Sequence, residues 1–281
     1  MYIGSHVSIR HGYLEAAKFA MRLGGRAFQY FPKNPRSLTL KTFDRRDAEA
    51  CAAYCRDHDL PSIGHAPYPA NLAAEGDDKQ ELVIRSVLNC LEIADACGSV
   101  GVVVHFGTYK GAEPLQGYIR IVQTLNEILR LWSGGTLILI ENQAGDHSRM
   151  GMTFEELTQI RNLTAAPDRI GFCLDTCHAF ASGLWDGRNW PEVVAKGEAT
   201  GYWDHLKAVH LNDSVYPTRS YRDRHANIGR GELGLDAFRQ LLTTPVLSKI
   251  PLVLETHVTT TINHADEIRL LYSLYREPKE D

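Results

Sequence analysis

The sequence predicts an α/β fold, a single-domain (β/α)8 TIM barrel, and three observations predict it. Eight short apolar runs recur along the 281 residues, each followed by a stretch with helical character. The runs are rich in Val, Ile and Leu and too apolar to alternate cleanly, which is the composition of parallel strands covered on both faces. The third to the eighth run each stop at or beside an imidazole or a carboxylate. Strand C-termini share one rim in a parallel barrel, so side chains far apart in sequence converge there.

Taken in order, the first run is 2–7 (YIGSHV), followed by 12–24 (GYLEAAKFAMRLG), an amphipathic helix closed by glycine. The second, 26–31 (RAFQYF), leads into the polar segment FPKNPRSL. The third, 61–66, carries His65, and residues 80–97 after it have helical periodicity. The fourth, 100–106, carries His105. The fifth, 136–142, carries Glu141 and precedes a helix over 153–163, where Thr153 can cap and Glu156 follows three positions later. The sixth, 170–176, carries Asp175, and a loop just past it is expected to turn His178 back toward the same rim. The seventh, 206–212, carries His210; the eighth, 251–256, carries Glu255.

One connection breaks this spacing. Residues 213 to 234 (DSVYPTRSYRDRHANIGRGELG) are too long for a turn and too polar for core, and loops of that kind are usually functional. Asp223 and His225 lie two apart in it and project to one side if the stretch is extended. A length of 281 residues with 44% hydrophobic side chains suits one barrel, so a single domain is expected over residues 1–281, with a polar tail from about 277. No apolar stretch reaches signal or membrane length, so a cytoplasmic protein with no membrane association is expected. No obligate protein partner is indicated. The six cysteines are expected to be reduced packing residues, including Cys173 and Cys177 beside the ligand-type residues.

His65, His105, Glu141, Asp175, His178, His210, Asp223, His225 and Glu255 are therefore the candidate metal ligands. Any one of them alone reads more simply as a hydrogen-bonded rim residue. Independent structural roles, however, would not place ligand types at one end of six successive strands. A catalytic zinc takes about three protein ligands plus water, so this set implies two or three ions. Of the other histidines, His58, His205 and His264 fall in helical segments and His11 and His147 in polar surroundings; His6 and His257 reach the rim beside the ligands.

The stretches IGSHVS, HAPYPANL, VVHFGT, IENQAG, CLDTCHAFASG, HLND, RDRHANIGRGELG and LET resemble, in order and over nearly the whole chain, the endonuclease IV family of abasic-site endonucleases. The resemblance implies a TIM barrel with three zinc ions. One is held by His65, His105 and Glu141. The second is held by Glu141 as a bridge with Asp175, His210 and Glu255, and the third by His178, Asp223 and His225. It also implies hydrolysis of the phosphodiester 5′ to an abasic site in double-stranded DNA, with removal of 3′-blocking groups. Zinc lowers the pKa of bound water to roughly 7, and Glu141 and Glu255 are the carboxylates placed to orient it. Residues matching Arg36 and Tyr68 enter the duplex in that family; a neighbouring apolar wedge position is Pro69 here, which leaves the fit of the wedge open.

The net charge of −4 argues against DNA binding by itself, but three divalent ions would turn it to +2 and concentrate the gain at the barrel mouth. Arg219, Arg222, Arg224 and Arg230, with Lys33 and Arg36, are then available to phosphates. Two rivals stand beside this reading. A single-metal sugar isomerase or epimerase shares Glu141, Asp175, His210 and Glu255 but gives the other five residues no role. A noncatalytic damaged-DNA-binding protein keeps the barrel without the chemistry, and leaves little reason for all nine ligands to be present.

Overall fold

A computed structural model describes residues 1–276, so the polar tail expected from about 277 lies outside the described residues. The strands are β1 (Tyr2–His6), β2 (Ala27–Tyr30), β3 (Ser62–His65), β4 (Gly101–His105), β5 (Leu137–Glu141), β6 (Ile170–Asp175), β7 (Leu206–Leu211), β8 (Asp213–Ser214), β9 (His225–Ala226) and β10 (Pro251–Leu254). Eight of them pair in parallel and close a barrel in the order β1-β10-β7-β6-β5-β4-β3-β2. The other two, β8 and β9, form a separate antiparallel ladder that pairs Ser214 with His225.

The near-continuous apolar runs follow from burial on both faces. Ile63, Val103, Leu139, Cys173, Ala208 and Val253 point inward and form one apolar cluster, the plug of the barrel. The alternate residues, such as Val102 and Val104, Ile138 and Ile140, Phe172 and Leu174, join the larger core with the helices. Side chains on one face of a strand recur every two residues. Two residues beyond the six plug residues stand His65, His105, Glu141, Asp175, His210 and Glu255. The ligand types therefore form the next inward layer above the plug. Glu255 itself lies one residue past the end of β10.

The helices are α1 (Tyr13–Arg22), α2 (Arg45–Asp57), α3 (Asp77–Ala96), α4 (Pro114–Leu131), α5 (Phe154–Leu163), α6 (Thr176–Ser182), α7 (Trp190–Thr200), α8 (Tyr202–His205), α9 (Gly234–Leu242) and α10 (His264–Arg276). At α5 the expected cap forms as a full capping box, with Thr153 and Glu156 each bonding the other's backbone N–H. Three helices, rather than one, fill the crossover from β6 to β7. The expected loop after β6 is absent as well, because α6 starts at Thr176 with Asp175 as its N-cap: Asp175 Oδ1 accepts the His178 N–H at 2.8 Å. One turn of helix, not a loop, brings His178 back to the rim.

Barrel closure also needs Gly4. A Cβ there would stand 1.7 Å from the Ala27 carbonyl oxygen on β2, so no other residue permits this strand approach. All six cysteines are buried free thiols, as expected. Among the described residues, no helix is long and apolar enough to cross a membrane.

Candidate metal centre

All nine ligand-type residues meet at the C-terminal rim, where they line or underlie a cleft of about 790 Å³. They form three groups whose ligand atoms lie within 4.8 Å of one another: His65, His105 and Glu141; Glu141, Asp175, His210 and Glu255; and His178, Asp223 and His225. Glu141 joins the first two. Its Oε2 lies 3.6 Å from His65 Nε2 and 3.5 Å from His105 Nε2, while its Oε1 lies 2.9 Å from His210 Nδ1. Asp175 reaches toward the third group, with Oδ2 at 3.8 Å from His210 Nδ1 and 3.7 Å from His225 Nε2. In the third group Asp223 lies 3.2 Å from both His178 Nε2 and His225 Nε2.

Hydrogen bonds on the outer side fix which nitrogen faces inward. His65 Nδ1 donates to the Ala66 carbonyl at 2.7 Å and His178 Nδ1 to the Asn142 carbonyl at 2.9 Å. A carbonyl only accepts, so these contacts place the proton on Nδ1 and aim the Nε2 lone pair into the cluster. At His210 the order is reversed. Gln29 Nε2 donates to Glu255 Oε1 at 2.6 Å, which leaves Gln29 Oε1 to accept from His210 Nε2 at 2.7 Å. His210 Nδ1 then faces Glu141 and Glu255. Orienting partners of this kind are what a metal-binding imidazole requires.

The cluster passes a test of fit for cations. Among the described residues, Glu141 Oε2, His178 Nε2 and His225 Nε2 are buried without a hydrogen-bond partner, although each lies close to an oppositely polarised neighbour. Buried polar atoms are rarely left so, and cations held within the first and third groups would satisfy all three. Charge agrees. Burial opposes ionisation of Glu141 and Glu255, but the surrounding histidines, His210 foremost, together more than offset it, holding Glu141 well below the usual carboxylate range and Glu255 at about 2. Burial likewise opposes charge on His178, yet Asp175 and Asp223 raise its pKa well above the ordinary histidine value. Four carboxylates thus hold positive charge at this rim. Burial pushes the Cys173 and Cys177 thiols up to about 12, and Cys177 Sγ lies against the Arg224 carbonyl at 3.7 Å, so the donor set is nitrogen and oxygen.

Three orienting residues carry no mark in the ligand pattern: Gln29, Asn142 and Asn212. Asn212 donates to Asp175 at 2.7 Å and to Glu255 at 3.2 Å, and Asn142 Oδ1 accepts the Asp175 N–H at 2.7 Å. The available signal is a fully buried amide inside or directly after an apolar run, as in RAFQYF, LILIEN and AVHLN. His6 touches this layer from behind, with Nδ1 at 3.1 Å from Gln29 Nε2, and His257 lines the cleft. His58 instead bonds the Tyr54 carbonyl and His264 the Thr256 carbonyl.

Tyr68 and Pro69 line the cleft, Tyr68 being 60% exposed with its ring 5.3 Å from Phe31. Its N–H donates to the Pro35 carbonyl at 2.9 Å, which ties it to the loop carrying exposed Arg36. Lys33 departs from expectation. It is buried at 4% exposure and donates to the carbonyls of Leu38 at 3.2 Å and Thr39 at 3.0 Å, so it shapes the Arg36 loop and is not free for phosphates. Arg219, Arg222, Arg224 and Arg230 lie on the long loop, and all four are exposed.

Residues 17–274 match the xylose isomerase-like TIM barrel family. A probable endonuclease 4 of Symbiobacterium thermophilum is 41% identical over 274 residues, covering 98% of this chain and 99% of that protein. The endonuclease IV crystal structure from Thermus thermophilus superposes with a TM-score of 0.87 at 31% identity, covering 98% of each chain. A D-tagatose 3-epimerase-like protein, at 19% identity and a TM-score of 0.71 over 98% of this chain and 97% of its own, shares the fold alone. With a family match over most of its length and relatives of this identity over nearly all of it, the chain belongs to the endonuclease IV family of xylose isomerase-like TIM barrels.

Proposed function

We propose that this chain is a zinc-dependent phosphodiesterase of DNA repair that nicks double-stranded DNA 5′ to an abasic site and also removes 3′-blocking groups. Zinc would be held in three places: by His65, His105 and Glu141; by Glu141, Asp175, His210 and Glu255; and by His178, Asp223 and His225. When bound, such ions polarise a phosphoryl oxygen and acidify water at neutral pH. Glu141 and Glu255 are ionised at neutral pH and face the open cleft between the groups, so each can orient an attacking water or accept its proton. Gln29 and Asn212 fix the rotamer of Glu255, and Glu141 is fixed by histidines on both sides. Tyr68 presents an exposed aromatic face beside His65 and His105, where an extruded nucleotide would pass, and Arg36 stands on the loop tied to it.

The observation that carries this reading is the convergence of all three donor groups on one rim. A one-metal sugar epimerase site uses Glu141, Asp175, His210 and Glu255. It leaves unexplained why His178 Nε2 and His225 Nε2, buried and without hydrogen bonds, point at Asp223. Phosphodiester hydrolysis with several ions uses every member of the set.

The test measures bound metal together with incision of a duplex containing one abasic analogue. Near three zinc ions per chain with a single nick 5′ to the lesion supports the proposal. One divalent ion with isomerisation of a ketose would replace it by the sugar enzyme. Tight binding of the lesion duplex with no cleavage would replace it by a noncatalytic binder.

A further inference from the structure

Two of the three donors in the His178–Asp223–His225 group come from a loop, whereas the other two groups are built on barrel strands and their ends. A loop of this length does not hold two side chains in place unless its ends are fixed. Asp213, two residues past β7, fixes them. It is fully buried, and its carboxylate accepts five backbone N–H groups. Oδ1 takes Ser214 at 2.7 Å and Leu233 at 2.9 Å; Oδ2 takes Gly229 at 3.0 Å, Gly231 at 3.1 Å and Gly234 at 3.3 Å. Four of these donors lie beyond Asp223 and His225 in the chain. Between them, the β8–β9 ladder pairs Asp213 with Ala226 and Ser214 with His225, and Glu232 N–H bonds the Ser214 carbonyl at 2.8 Å.

The entry and exit of the metal-facing segment are thus gathered on one side chain. Space there is tight: a Cβ on Gly231 would stand 2.3 Å from the Ser214 carbonyl oxygen and 2.5 Å from Asp213 Oδ1. A second buried carboxylate braces the same exit. Glu267 on α10 accepts the Ile228 N–H at 2.9 Å and the Asn227 amide at 3.1 Å, and also the hydroxyl of Thr256, the residue after Glu255, at 2.6 Å.

We propose that Asp213 is the positioning residue of the third ion site. Its charge is spent on backbone N–H groups, and closing the loop on it holds Asp223 and His225 opposite His178 before any ion arrives. The inference rests on the metal reading above and adds which residue makes the loop half of the site. Without the clamp, the ordering cost of the segment falls on ion binding, and only that ion is weakened. The donors of the other two groups lie on barrel strands and their ends, outside this loop.

Asp213→Asn keeps the shape but turns an amide NH2 toward backbone N–H donors. The full-length zinc protein is equilibrated at buffered free zinc, and bound metal, thermal stability and abasic-duplex incision are measured. The expected result is a selective loss: the third ion binds roughly 10–100-fold more weakly, two ions stay bound, and incision returns at saturating zinc. Three ions held as tightly as in the wild type would overturn the proposal, as would loss of all ions with a collapse of the melting transition. Gly231→Ala disturbs the same clamp without changing charge, and must weaken the same ion alone; unchanged affinity counts against Asp213 too. A wild-type protein that never holds three ions would sink the metal reading instead, so the two failures are read on different samples.

Discussion

Gln29 and His210 lie 181 positions apart in the chain and are joined by a 2.7 Å hydrogen bond from His210 Nε2 to Gln29 Oε1. That bond decides which imidazole nitrogen faces the carboxylates, because Gln29 Nε2 is already committed to Glu255. Gln29→Leu keeps the volume and removes both contacts. Metal affinity at the Glu141–Asp175–His210–Glu255 group should fall roughly 10–100-fold, measured by chelator competition, with far-ultraviolet circular dichroism unchanged. Wild-type affinity in this variant would remove Gln29 from the design of the site.

His225→Ala takes one donor from the third group and leaves the barrel strands intact. The expected protein holds two zinc ions, and incision falls on the order of 100-fold or more, since a bound ion contributes several kcal/mol to the transition state. Metal analysis and single-turnover nicking check it. Unchanged incision would mean that the long loop plays no part in the chemistry.

Lys33→Met tests the loop that carries Arg36. Burial lowers the Lys33 pKa, and its ammonium donates to two carbonyls of its own loop. Losing it should loosen Arg36 and Tyr68 without touching the metals. KM for the abasic duplex should rise roughly tenfold, equal to about 1.4 kcal/mol of uniform binding, with kcat little changed. Hydrolysis of a small phosphodiester with no duplex to grip should be unaffected, and an equal loss on both substrates would contradict the assignment.

Protons and cations compete for His225. Burial opposes its charge, but the Asp223 carboxylate 3.2 Å away and the nearby Asp175 raise its pKa to about 9. A raised value means the proton is bound below about pH 9 and must leave before Nε2 can accept a cation. Affinity at this group should therefore fall as the pH drops below that value, by roughly tenfold per unit while one proton is displaced. Titration calorimetry near neutral pH in two buffers of different protonation enthalpy reads the proton release directly. Identical heats in both would exclude the competition.

Much of this molecule was legible in the sequence because barrel geometry is periodic. Val103 before His105, Leu139 before Glu141 and Val253 before Glu255 repeat one rule, an inward plug residue and then a ligand-type residue two positions on. A strand period of two makes that rule independent of distant contacts. His178 was legible as a ligand-type residue of the rim but not as part of a helix, since the turn that brings it back depends on Asp175 serving as an N-cap. Lys33 looked like a phosphate contact because sequence reports its charge and not its burial.

By itself, then, the order of apolar runs and of the ligand types at their ends determined the barrel, the rim and the identity of the nine ligand-type residues. Only the tertiary structure decided how they are held. Which imidazole nitrogen faces inward is set by Ala66, Asn142 and Gln29, and the position of the long loop is set by Asp213 and Glu267. Those partners are amides, carbonyls and carboxylates whose roles depend on direction at distances near 3 Å, and a hydrogen bond between residues 181 positions apart leaves no periodic trace in the chain.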